Sequence, residues 1–103
     1  MVEMLKCIKG SNWYRVYNDR FIEQGGETDI INSSSGHIRN ITFLINYTTT
    51  SYTVLTSLET TKESSDMDST DATYIYNKTI SGCTINNPDN TPSRSYKWYV
   101  FGY

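Results

Sequence analysis

The chain has 103 residues, a net charge of −2 from nine basic and eleven acidic side chains, and a hydrophobic fraction of 37%. That length holds one domain, the thinly spread basic residues leave no electrostatic footprint for nucleic acid, and no apolar run reaches the roughly 18 residues of a membrane-spanning helix. With only four leucines but nine tyrosines, whose hydroxyls need partners, the private core is expected to be thin, which makes association between copies the natural source of further buried area.

Serine, threonine and asparagine make up 35 of the 103 residues. These side chains compete for backbone hydrogen bonds and disfavour long helices, whereas threonine, tyrosine and isoleucine favour strands. The predicted class is all-β. In chain order, residues 1–12 read as a short strand, with Met4, Lys6 and Ile8 opposing Leu5 and Cys7, or as the end of a shaft; they lack the basic-then-apolar plan of a secretory leader. In residues 13–26, WYRVYNDRFIEQGG, Trp13, Arg15 and Tyr17 alternate with Tyr14, Val16 and Asn18. Asn18 and Asp19 supply turn chemistry, and Phe21, Glu23 and Gly25 then alternate with Ile22, Gln24 and Gly26, the pattern of a hairpin. Arg15 and Glu23 are placed to form a cross-strand ion pair, and the aromatics to pack one face.

Residues 33–36 make a turn. Residues 37–46 read as one long strand with Ile41, Phe43 and Ile45 on one face; residues 47–51 turn, and residues 52–58 are expected to be its antiparallel partner. Residues 59–71 hold almost no apolar side chain and the densest acidity, a solvated loop. Residues 73–77 alternate again, residues 80–85 form a short strand interrupted by Gly82, residues 86–95 hold both prolines in a second loop, and residues 96–103 close the chain as a strand. Six to eight short strands of this kind predict a small antiparallel β-sandwich.

The choice of side chains in residues 13–26 is more specific than a hairpin needs. It resembles the signature W-x-R-x-Y-x-D-G-x-x-E-Q-G-G that opens the C-terminal domain of bacteriophage and prophage tail-fibre proteins. Trp13, Arg15, Tyr17, Asp19, Glu23, Gln24, Gly25 and Gly26 match it, and Arg20 stands where glycine is usual. Arginine costs about 1 kcal/mol there if the backbone is left-handed. Ile41-Thr42-Phe43, Tyr52-Thr53-Val54, Thr79 with Gly82 and Ile85, and Trp98-Tyr99 with Gly102-Tyr103 follow the later pattern of the same domains, and the second half is also similar to the trimeric sandwiches of H-type lectins.

The resemblance implies residues 13–103 as a fibre-tip sandwich, a homotrimer joined to the rest of a tail fibre. It implies a virion protein, made in the bacterial cytoplasm, that attaches to a host-surface glycan or protein without catalysing a reaction. A structural trimerisation or capping module, or a stand-alone lectin, are the alternatives. No membrane insertion, cofactor or metal is expected.

Sugar recognition needs a flat aromatic ring and planar polar groups. Asp89, Asn90, Arg94 and Tyr96 offer such a set around one loop, favoured by the lectin likeness, and Asp71, Tyr74 and Tyr76 offer another. The alternative use of these tyrosines is as cover for sheet faces or subunit contacts. Glycoside hydrolysis needs two converging carboxylates; Glu23, Glu27, Asp29 and the loop acids are candidates whose solvation explains them, and Glu23 belongs to the structural signature. His37 has no nucleophile or second histidine to work with. The run from Asp66 to Asp71 lacks the glycine and glutamate of a calcium loop. Acceptor-type triplets at Asn32, Asn40, Asn46 and Asn77 are compositional. Cys7 and Cys83 form no metal motif and are expected to be buried thiols, a disulfide being the other option.

Overall fold

The computed structural model describes residues 2–31, 37–60, 73–88 and 94–103, and its regular structure is entirely β. Eight strands form: β1 (Glu3–Lys9), β2 (Asn12–Tyr17), β3 (Ile22–Glu27), β4 (Ile38–Thr42), β5 (Thr53–Thr60), β6 (Tyr74–Thr79), β7 (Gly82–Asn86) and β8 (Arg94–Gly102). They make a five-stranded sheet of order β1-β2-β3-β8-β5 and a three-stranded sheet of order β4-β7-β6, every pairing antiparallel.

Local chemistry explains the turns. Gly10, with φ of 62°, opens the two-residue connection between Lys9 and Asn12, the place where a hairpin twist asks for positive φ. The β2–β3 loop is four residues long: the Arg20 amide donates to the Tyr17 carbonyl at 2.9 Å, the Tyr17 amide to the Phe21 carbonyl at 2.9 Å, and the Phe21 amide to the Asp19 carboxylate at 3.1 Å. Arg20 takes the left-handed place, with φ of 71°. The glycine usual at this position in the resembled signature therefore has a steric reason, and this chain carries the strain of its arginine.

Two expectations are corrected. The long strand expected over residues 37–46 stops at Thr42, and its partner is β7, while residues 53–60 pair with β8 instead. The cause is Gln24. Its fully buried side chain donates to the Ile45 carbonyl at 2.8 Å and accepts from the Leu44 and Ile45 amides at 3.1 and 3.4 Å. One amide side chain thus takes the ladder bonds that residues 44 and 45 would give to a neighbouring strand, and the chain bends. Gly82 permits the observed pairing, since a Cβ there would lie 2.1 Å from the Ile41 carbonyl oxygen.

The core between the sheets is Ile22, Ile31, Ile41, Phe43, Tyr47, Tyr52, Cys83, Ile85, Tyr96, Trp98 and Val100. Phe43 sits edge-on to both Tyr47 and Tyr52 at 5.5 and 5.2 Å, an arrangement that adds to area burial. Each buried tyrosine finds polar partners. Tyr52 reaches from the large sheet to the Thr79 and Gly82 carbonyls of the small one, both at 2.8 Å. The Tyr96 hydroxyl accepts from the Asn87 amide at 2.7 Å and donates to the His37 carbonyl at 2.8 Å. Tyr47 lies 3.1 Å from the Val100 carbonyl. Burial pushes the Tyr47 and Tyr52 phenols up to about 12. Cys83 is buried, Cys7 is partly exposed on β1, and both are free thiols.

Candidate functional site

The signature strands build two surfaces. On the outer side of the large sheet, Arg15 faces Glu23 across β2 and β3 with an ion pair of 3.4 Å. The Tyr17 and Tyr99 hydroxyls also donate to the Glu23 carboxylate. Burial raises the pKa of this carboxyl, but the three donors outweigh it and hold the group below the usual range. Gly25 and Gly26 leave room for indoles: a Cβ on Gly25 would lie 3.0 Å from the Trp13 ring, and one on Gly26 would lie 2.8 Å from the Trp98 ring and 2.1 Å from the Asn12 carbonyl oxygen.

Strand register lines Ile8, Trp13, Gly25, Tyr99 and Leu55 across all five strands on that outer face. Trp13 lies 6.0 Å from Tyr99, Tyr99 5.5 Å from Phe101, and Phe21 6.3 Å from Phe101 and 5.5 Å from Tyr103. The row ends in Ile8 and Leu55, which are 69% and 55% exposed. No described strand of the small sheet covers this face, and β1 leaves Val2, Met4 and Leu5 exposed as well.

The second surface is a cleft of about 280 Å³ between β2 and β3 on one side and β4 on the other, lined chiefly by Asn12, Glu27, Asp29, Arg39, Asn40 and an edge of Trp98. Backbone geometry opens it. After β3 the Thr28 amide still bonds the Tyr96 carbonyl at 2.9 Å, and Ile31 then exchanges two bonds with Arg94 at 2.6 and 3.1 Å. Between these anchors Asp29 crosses toward β4 and receives the Arg39 guanidinium at 2.8 and 3.4 Å. That bond holds the Asp29 carboxyl below its usual range, against a smaller opposing effect of burial. Asn40 accepts from the Thr84 hydroxyl at 2.9 Å. Among the described residues, the Glu27 carboxylate and the Asn12 amide have no hydrogen-bond partner.

Of the two sets of residues expected to bind sugar, Arg94 and Tyr96 of the first and Tyr74 and Tyr76 of the second are described. Tyr96 and Arg94 are both 0% exposed, so the Tyr96 ring offers no face to a ligand; the reason is the inward-facing position of residue 96 on β8, which spends its hydroxyl on His37 and Asn87. Tyr74 and Tyr76 are exposed on β6, at an edge of the small sheet. Asp71, Asp89 and Asn90 lie outside the described residues, as does the run from Asp66 to Asp71. His37 is partly exposed and its carbonyl serves Tyr96. Sequence reasoning missed Asn12, Arg39 and Asn40, and weighed Glu27 and Asp29 only as hydrolytic acids. Their convergence depends on the two sheets meeting, for which period-two patterning carries no signal.

No protein-family model matches the sequence, and neither does any curated protein. Solved structures do match. An N-truncated R1-type pyocin tail fibre superposes with a TM-score of 0.71 at 17% identity, covering 97% of this chain and 87% of that one. Its fold is that of the pyocin tail-fibre structures. An R2-type pyocin tail fibre gives 0.61 at 21% identity, and a P. aeruginosa R1 pyocin fibre comprising C-terminal residues 323–701 gives 0.68 at 18%. Of those two longer pyocin chains this one covers 38% and 28%. The likeness extends over the sandwich and the β1 hairpin together, since 97% of the chain is matched in each case.

Proposed function

We propose that the chain is a receptor-binding tip of a tail fibre: a non-enzymatic homotrimer, carried on a phage or phage-like tail, that attaches to a glycan on the host surface. The observation that carries this reading is the superposition of nearly the whole chain on pyocin tail fibres. The sheet chemistry supports the oligomer. A row from Ile8 through Trp13 and Tyr99 to Leu55 presents apolar and aromatic surface on a face that no described strand of the small sheet covers, and contact with other copies removes such surface from water.

Three shallow sites on one rigid head gain by avidity, which makes weak sugar contacts sufficient for attachment. Tyr74 and Tyr76, exposed on β6, are open to a ligand, and Asp71, Asp89 and Asn90 belong to the proposed contact set. Arg94 and Tyr96 support the strands behind them. The test is adsorption of the labelled protein to bacterial strains that differ in surface polysaccharide. Saturable binding that disappears with the polysaccharide is expected; a protein that adsorbs to none of the strains, while remaining an oligomer, is a structural capping module instead.

A further inference from the structure

We propose that the cleft between the two sheets, walled by Asn12, Glu27, Asp29, Arg39 and Asn40, binds one neutral pyranose unit of the receptor. The inference rests on the attachment reading and narrows it. The volume of about 280 Å³ lies at the small end of ligand pockets, which run from roughly 300 to 1,000 Å³, and fits one sugar ring better than a longer chain segment. The walls offer planar groups: a carboxylate or amide presents two polar atoms side by side, and vicinal hydroxyls offer two donors or acceptors at matching spacing. Glu27 and Asn12 meet no partner among the described residues, which leaves their hydrogen-bonding capacity to a ligand.

Charge selects within the sugars. The cleft's Arg39 guanidinium is already held by Asp29 at 2.8 Å, and Glu27, at its rim, lies in register with Lys97. A uronate or sialate would bring its anion beside the Asp29 carboxylate, which the one guanidinium of the cleft already serves, and like charges at such range disfavour binding. A divalent cation is equally ill served, because one of the two carboxylates is engaged and no group of three or more His, Cys, Asp or Glu forms a metal site among the described residues. Neutral hydroxyls, which both give and accept, match the cleft.

The experiment is two-dimensional NMR of the full chain, titrated with methyl α-glucoside, α-galactoside, α-mannoside and α-rhamnoside, with glucuronic acid as the anionic counterpart. At least one neutral glycoside is expected to shift the Trp98 indole and the Asn12 and Asn40 side-chain amides, and glucuronic acid to leave them in place. Asn12→Ala is expected to weaken that binding at least tenfold with the melting temperature and oligomeric mass unchanged. No shift from any neutral glycoside, equal binding of glucuronic acid, or shifts confined to β6 overturns the cleft assignment. In those cases continued adsorption of the wild-type protein to cells leaves the attachment reading standing, whereas loss of adsorption by the wild type removes both.

Discussion

Gln24 shows how much one side chain settles in this chain. Its amide meets three backbone groups of residues 44 and 45, and deleting it leaves buried donors and an acceptor unmatched. Gln24→Leu is therefore expected to cost about 2–4 kcal/mol, read from urea unfolding at fixed subunit concentration. Arg20 predicts the opposite sign. Its φ of 71° is strained for a side chain with a Cβ, and Arg20→Gly is expected to raise stability by about 0.5–1 kcal/mol in the same assay, the relief exceeding the added freedom of the unfolded chain. That Arg20 departs from the expected glycine was legible from the sequence, because a turn has a local rule. That Gln24 would stop a strand twenty residues away was not, because its partners are fixed by tertiary contact.

At the scale of the element, the β2–β3 hairpin was legible to within one residue at each strand end, since period-two alternation and turn chemistry both act over neighbouring positions. Residues 37–46 misled for the same reason: alternating Ile41, Phe43 and Ile45 satisfy the strand pattern, yet the backbone after Thr42 is bonded elsewhere. The hairpin also sets an acid limit. Glu23 titrates below its usual range in the folded chain and near 4.3 when unfolded, so its contribution is complete above that value and is lost as pH falls through the lower, folded one. Glu23→Gln is expected to flatten the acid limb of the stability profile below about pH 5, measured by unfolding across pH, while a limb as steep as that of the wild type would assign the acid sensitivity to other carboxylates.

For the whole molecule, the class of fold was readable from composition and alternation, and the division of eight strands into two sheets was not, because strand partners lie far apart in sequence and no local rule names them. The apolar row on the outer face belongs to this scale too. Ile8 and Leu55 are exposed at its two ends, and the double variant Ile8→Lys, Leu55→Lys is expected to convert the proposed trimer into monomers by sedimentation equilibrium without unfolding them; a trimeric mass in the variant would place the subunit contact elsewhere. The cleft, by contrast, takes one wall from each sheet, and the distance between sheets is held by Tyr52 and Tyr96, which span the interior. Under the proposed attachment role this is a hidden adjustment to a changing bacterial coat: altering an internal spacer reshapes the cleft while every residue that lines it stays the same.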